Sequence, residues 1–152
     1  MYARGEASKI KHEFWTTFGR YMSPVLSAEG ITINWVNYHT GIKDVFFRMD
    51  AFNSTASVAI SIEHNDADIR DLFFEQFVEL KPVLAYTVGE DWIWRRHDIV
   101  LEKPVSRIFT ELPGVSVFNK EHWPALISFF KHRIIALDAF WENAKYSFDA
   151  LR

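Results

Sequence analysis

The densest group of polar side chains in the sequence is Glu-His-Asn-Asp-Ala-Asp at residues 63–68. Carboxylate oxygens and an imidazole nitrogen at a strand end could bind a divalent cation, with Glu63, His64, Asp66 and Asp68 as ligands. The same residues also fit the start of a helix, where Asn65 or Asp66 would cap the first turn. Because the N-terminus of a helix repels cations, the sequence favours the cap over the metal site.

A second candidate is a short basic stretch interleaved with aromatic side chains. Between Trp92 and Arg107 there are four Lys or Arg residues against two Asp or Glu. Arginine and aromatic side chains on a strand pair can neutralise phosphate and stack bases, so Arg95, Arg96 and Arg107 are candidates for nucleic-acid binding. The excess is small, and residues 65–91 carry seven acids against two bases. Nucleic acid is therefore a disfavoured partner.

A third candidate is a polar pocket near the first predicted hairpin. Asn34 and Tyr38 could line it together with Arg48 and Asp50, and such a pocket would suit a small ligand. The alternative is a solvated strand face on which Arg48 and Asp50 form an exposed ion pair of about 0–1 kcal/mol. Both interpretations place Arg48 and Asp50 on one face of a strand, because side chains two residues apart share a face.

Composition removes several other classes of function. The chain has 152 residues, 49% of them hydrophobic, a net charge of −3 and no cysteine, which suits one domain and excludes disulfides and thiolate chemistry. No apolar run approaches the roughly 18 residues of a membrane span, and residues 1–13 do not resemble a signal peptide, so we expect a cytoplasmic domain. The sequence contains no H-E-x-x-H motif, nucleophile elbow or glycine-rich phosphate loop, and we expect no cofactor.

The hydrophobic periodicity predicts an α+β domain of the order α-β-β-β-α-β-β-α, built on an antiparallel meander. The predicted helices cover residues 6–22, 66 to the low eighties, and about 30 residues from 119 onward. Pro82 should end or kink the second helix. The last helix would be about 45 Å long, which predicts a kink or a partner subunit. The predicted strands cover residues 31–36, 42–49, 56–63, 92–97 and 105–111.

Four segments carry a resemblance to a family: EFWTTFGRYMSPVLSAEG, NWVNYHTGIKDVFFRMDA, IRDLFFEQF and FNKEHWPALISFFKHRIIALDAFWENAKYSF. They resemble bacterial proteins grouped as domain-of-unknown-function family 4268, over nearly the whole chain. The family has no established activity that could be assigned to these residues. Its members also occur as the tail of longer proteins whose front part looks like a restriction-type nuclease. The resemblance therefore implies an accessory link to DNA metabolism or defence.

The predicted order of elements is also similar to the core of the PD-(D/E)XK nucleases. That resemblance implies two acids that hold Mg²⁺, one on the second strand and one on the third, and a lysine two residues after the second acid. Asp44 or Asp50 would be the first acid and Glu63 the second. The lysine position is occupied by Asn65, so a cation such as Arg70 would have to act from the helix. The match fails at the residue that the chemistry demands most.

We therefore expect a non-catalytic interaction domain that binds a protein partner or itself, forming a homo-oligomer. Two broadly apolar helices support this expectation through Leu72, Phe73, Phe74 and Phe77 in one, and Trp123, Phe129, Phe130, Phe140 and Trp141 in the other. A divergent metal-dependent nuclease is the first alternative, and Mg²⁺ is expected only there. A small-ligand binder is the second alternative.

Overall fold

The computed structural model describes residues 4–151 and contains four antiparallel strands and four α-helices, which confirms the predicted α+β class. The helices are α1 (Arg4–Met22), α2 (Ala67–Glu79), α3 (Lys81–Val88) and α4 (Trp123–Ala144). The strands are β1 (Val45–Ala51), β2 (Thr55–Ile62), β3 (Ile93–Val100) and β4 (Lys103–Pro113). Single 3₁₀ turns at Lys120–His122 and Lys145–Phe148 flank α4.

The sheet has the strand order β1-β2-β4-β3, and every neighbouring pair is antiparallel. Strand β2 has the clearest alternation in the sequence, and it lies in the centre of the sheet. Its alternate residues Ala56, Val58, Ile60 and Ile62 are fully buried beneath α2 and α4. Because side chains alternate across a strand, Ser57, Ala59 and Ser61 lie on the opposite face.

The first predicted strand is wrong, because residues 31–36 form turns rather than a strand. The Asn34 side chain accepts hydrogen bonds from the backbone N–H groups of Val36 and Asn37, which closes an Asx turn in the middle of the apparent alternation. The Trp35 indole N–H donates to the Val25 carbonyl and holds the segment against the preceding loop. The three-stranded meander before α2 is therefore a two-stranded hairpin, and the αβββαβ order is not formed.

Pro82 separates two helices, as the sequence predicts. It stands at the start of α3, where its missing N–H costs little, and α2 ends just before it. The last helix is shorter than the expected 30 residues. Helix α4 covers 22 residues, about 33 Å, and then tightens into the 3₁₀ turn that carries Phe148 back into the core.

The apolar width of the two long helices is covered within the chain itself. Phe73 and Phe77 of α2 pack against Phe148, and Phe74 packs edge-on against Trp94 of β3. All five aromatic residues predicted as an interface on α4 are buried: Trp123, Phe129, Phe130, Phe140 and Trp141. Leu72 is the exposed member of the α2 set. The apolar residues of α2 and α4 from which an interface was expected therefore belong mainly to the core.

Candidate functional site

The polar loop between β2 and α2 is a helix cap, as the sequence favours. Asp66 is the N-cap residue, and its carboxylate accepts the backbone N–H of Asp68 at 2.8 Å. The Nδ1 atom of His64 accepts the backbone N–H of Asp66 at 3.0 Å. The guanidinium of Arg70 donates to the carbonyls of His64 and Asn65 at 2.7 and 3.1 Å. Arg70 is buried, so its charge holds the loop and does not line an open cleft.

Glu63 makes a bidentate ion pair with Arg48, with nitrogen–oxygen distances of 2.9 and 3.0 Å, and Lys103 lies 3.5 Å from the same carboxylate. Burial acts to raise the pKa of Glu63, but hydrogen bonds from Arg48 and Ser61 and the charges of Arg48 and Lys103 outweigh it. The pKa of Glu63 is therefore held below its ordinary value, and the carboxylate stays charged and engaged at neutral pH.

Of the three carboxylates proposed for a nuclease site, Asp50 and Glu63 line one depression on the side of the sheet away from the helices, and Asp44 does not. The Glu63 backbone N–H donates to the Asp44 carbonyl, and Asp50 pairs with Ser57, six residues from Glu63 along β2. Partial desolvation raises the pKa of Asp50, against the lowering effect of Arg48, Arg107 and Lys11. Within residues 4–151, no three His, Asp or Glu side chains form a group that could hold a metal ion.

Replacement of Glu63 by Gln is expected to make the free energy of unfolding less dependent on pH at acid pH. A depressed carboxyl pKa adds stability that is complete above the unfolded pKa and is lost as pH falls through the folded pKa. Wild type should therefore lose more free energy of unfolding than Glu63→Gln between about pH 5 and pH 3. Urea unfolding at several pH values measures this difference, and Glu79→Gln, an exposed carboxyl of α2, is the control. Parallel curves for wild type and Glu63→Gln would contradict the assignment.

The face of the sheet that points away from the helices is here called the open face. It consists of Phe46, Arg48 and Asp50 of β1, Ser57, Ala59 and Ser61 of β2, Val105, Arg107, Phe109 and Glu111 of β4, and Ile93, Arg95 and Asp98 of β3. Between β1 and the tip of the β3–β4 hairpin, this face forms a depression of about 310 Å³ with Ala59, Ser61 and Val105 among its lining residues. The small central residues are shielded by the longer side chains around them.

Guanidinium groups on the open face lie on phenylalanine rings and are balanced by carboxylates. Arg107 is 4.0 Å and Arg95 is 5.3 Å from the centre of the Phe109 ring. Arg107 also lies 3.1 Å from Asp98. In contrast, Arg96 lies on the helix-facing side and pairs with Asp71 and Glu75 of α2. The three arginines predicted as one nucleic-acid surface are thus divided between the two faces, and each has an acidic neighbour.

The tight turn between β3 and β4 is not predicted by the sequence, whose strand bounds of 92–97 and 105–111 imply a longer loop that contains Lys103 and Pro104. Lys103 pairs with Val100 inside the hairpin, so the connection consists of only Leu101 and Glu102. Both residues have positive φ, 50° and 64°, as a type I′ turn requires. Such turns normally contain Asn-Gly or a similar pair, and the sequence carries no such signal here. Leu101 is 94% exposed at the tip.

A cavity of about 310 Å³ lies between the irregular loop before β1 and the C-terminal half of α4. Asn34 and Tyr38 line it, as predicted, but Arg48 and Asp50 do not. The Tyr38 ring stacks on Phe47 with centroids 5.0 Å apart, and Phe47 faces the helices, so its neighbour Arg48 points to the open face. The prediction that these four residues share one pocket is therefore wrong. We call this space the Asp138 cavity.

Asp138 of α4 is the residue of this cavity that sequence reasoning missed. It is 6% exposed, and its carboxylate accepts the Tyr38 hydroxyl at 2.5 Å and the Ala28 backbone N–H at 2.7 Å. Nearby, the Trp141 indole N–H donates to the Thr40 carbonyl at 2.7 Å. One signal in the sequence could have revealed this residue. Asp138 follows Ile134 by four residues, which places its carboxylate on the apolar side of the helix.

These features define an α+β domain whose four-stranded antiparallel sheet is covered by helices on one face and carries balanced charges on the other. Its family model, described as a domain of unknown function (DUF4268), matches residues 10–145, and the chain belongs to that family. Searches of curated proteins and of solved structures gave no match. In the described part of the chain, no helix combines the length and apolarity needed to span a membrane.

Proposed function

We propose that this chain is an interaction domain that binds a second copy of itself through the open face, with Leu101 as an apolar anchor. The observation that carries the proposal is the β3–β4 turn. A non-glycine residue held at positive φ costs on the order of 1–3 kcal/mol, and such strain is concentrated at functional positions. Leu101 gains almost no burial in return, because nearly all of its surface is in solvent. This combination supports a contact outside the chain.

The charges of the open face and of the adjoining turn and strand ends favour an identical copy as the occupant. Four cations (Arg48, Arg95, Lys103 and Arg107) stand near five carboxylates (Asp50, Glu63, Asp98, Glu102 and Glu111). A two-fold contact brings the same surface together from both subunits, and a surface that carries both signs in nearly equal number can pair them across the contact. Ile99, two residues before Leu101, adds exposed apolar area near the anchor, and Ile93 adds exposed apolar area at the other end of β3. A phosphate backbone would instead meet cations that already have acidic neighbours.

Membership of the family adds to this proposal. We place the interaction in the bacterial cytoplasm, as an accessory function linked to DNA metabolism or defence, because the resemblance to that family implies such a link. Catalysis is not part of this proposal. A metal-dependent nuclease would need carboxylates that converge on one ion, and Glu63 is instead held by Arg48 and Lys103.

The double substitution Leu101→Asn with Glu102→Gly is expected to raise stability and to abolish self-association. Asn and Gly adopt positive φ more readily than Leu and Glu, so the free energy of unfolding should rise by about 1–2 kcal/mol. The same change removes the proposed anchor. Sedimentation equilibrium from about 10 µM to 1 mM should show wild type rising from 17.8 kDa towards twice that mass, with the variant remaining monomeric.

Leu26→Asn is the matched control, because it removes a leucine that is 56% exposed on the irregular loop rather than at the hairpin tip. It should associate as wild type does. A wild type that stays at 17.8 kDa over the whole range would overturn the proposal. A turn variant that associates as strongly as wild type would remove Leu101 from the interface. A turn variant that is less stable than wild type would refute the strain argument.

A further inference from the structure

We infer that the Asp138 cavity binds a small organic cation, a primary ammonium or a guanidinium group, with Asp138 as its counter-charge. The inference goes beyond self-association, and it uses neither Leu101 nor the open face. It begins from a buried carboxylate that has no cation beside it.

Asp138 is hydrogen-bonded only by neutral donors among the described residues. These donors are the Tyr38 hydroxyl and the Ala28 backbone N–H, and none of the ion pairs formed by residues 4–151 includes Asp138. Removing a carboxylate from water is expensive, and proteins usually offset the cost with a cation or a metal ion. A carboxylate can accept about four hydrogen bonds, and two are in use here. Asp138 therefore keeps acceptor capacity for a ligand.

The walls of the cavity suit the carbon part of such a ligand. Its volume of about 310 Å³ is at the lower end of small-molecule sites. Trp141 and Tyr38 supply aromatic surface that attracts cations, and Ile31 and Ile33 supply aliphatic surface. The electrostatic potential around Tyr38 in the cavity is negative as well. Burial is the largest cause that raises the pKa of the Tyr38 hydroxyl, and the hydrogen bond to Asp138 and the charges of nearby carboxylates raise it further.

An ion pair between Lys145 and Glu29 lies at the same cavity. The Lys145 ammonium is 2.9 Å from a Glu29 carboxylate oxygen, and both residues line the space. Lys145 follows Asp138 by about two helical turns, and its ammonium pairs with Glu29 rather than with Asp138. A cation that enters the cavity would experience repulsion from Lys145. The affinity should therefore respond in opposite directions to the removal of Asp138 and of Lys145.

The test uses ethylammonium chloride as the probe and the Trp141 indole N–H as the reporter in ¹H–¹⁵N NMR spectra, with the signal assigned through Trp141→Phe. Wild type should show a saturable shift with a Kd of about 1 mM or weaker, because a probe of three heavy atoms cannot bind much more tightly. Ethanol, which has a similar shape and no charge, and sodium chloride at equal ionic strength should not produce this shift.

Asp138→Asn should weaken ethylammonium binding by roughly tenfold or more, since it removes the counter-charge and keeps the side-chain shape. Lys145→Gln should strengthen binding by about threefold, and this substitution of a partly exposed side chain tests the inference if Asp138→Asn fails to fold. A linear, non-saturable shift in both wild type and Lys145→Gln would overturn the inference. Equal responses to ethylammonium and ethanol, or weaker binding in Lys145→Gln, would also overturn it.

Discussion

Replacement of Phe148 by Ala is expected to lower the free energy of unfolding by about 4 kcal/mol. Phe148 is fully buried although it lies in the short 3₁₀ turn that follows α4. Its ring centre lies 4.6 Å from that of Phe77 and 5.3 Å from that of Trp141, and it stacks on Phe73. Alanine would leave a cavity lined by three aromatic rings, and rings of that size relax poorly into empty space.

Urea unfolding followed by far-UV circular dichroism measures this loss, with the slope of the transition compared between the proteins. Tyr146→Ala is the matched control, since Tyr146 belongs to the same 3₁₀ turn and is 62% exposed. It should change the free energy of unfolding by no more than about 0.5 kcal/mol. A Phe148→Ala protein within about 1 kcal/mol of wild type would show that the C-terminal turn does not close the core.

The C-terminal turn also shows how far periodicity predicts the fold. The three-or-four spacing of apolar residues in the last segment predicts that Trp141, Ala144 and Phe148 lie on one side of the helix, and all three are buried. The spacing could not reveal where the helix tightens, because 3₁₀ and α-helical turns both bring residues three or four apart to nearly the same face. The sequence predicts a kink or a partner subunit for a last helix of about 45 Å. In the structure, aromatic residues of the same chain cover the apolar side of this helix instead.

The alternation of Ile31, Ile33 and Trp35 illustrates the opposite outcome. Apolar residues at every second position are typical of a strand, but Asn34 between them bonds to the backbone that follows and closes a turn. Whether an asparagine side chain forms hydrogen bonds to the backbone that follows it depends on tertiary contacts such as the Trp35–Val25 hydrogen bond. In β2, small and apolar residues offer no such competition, and the alternation predicted the strand correctly.

Ion pairing was the least predictable part of the candidate sites. The sequence paired Arg48 with Asp50, because they share one strand face. In the structure the long side chain of Arg48 instead reaches Glu63, four residues beyond Ala59, which is the residue opposite Arg48 in the antiparallel register. Register depends on the turn at residues 52–54 and on burial of the opposite face, and neither is encoded in the spacing of the charges. Asp138 and Tyr38 are a hundred residues apart in sequence, which no local pattern connects.

Replacement of Asp138 by Ala is expected to lower the free energy of unfolding by about 3 kcal/mol. Asp138 holds the irregular loop of residues 23–44 to α4 through Tyr38 and Ala28, and its removal would leave two donors without acceptors near the protein interior. Tyr38→Phe removes one of the two bonds and should cost about 1 kcal/mol. The double variant should be less destabilised than the sum of the two, because the residues share one interaction. Full additivity would show that the bond contributes nothing.

The pH dependence supplies an independent measure of the same hydrogen bond. Burial, together with the hydrogen bond to Asp138, raises the pKa of the Tyr38 hydroxyl in the folded chain above its ordinary value. A raised pKa adds stability that is complete below the unfolded pKa of about 10 and is lost as pH rises towards the folded value. Wild type should therefore lose stability above about pH 10 more steeply than Tyr38→Phe. Identical alkaline limbs would mean that Tyr38 is not tied to the Asp138 carboxylate, and the buried acid would then have lost one of its two neutral donors.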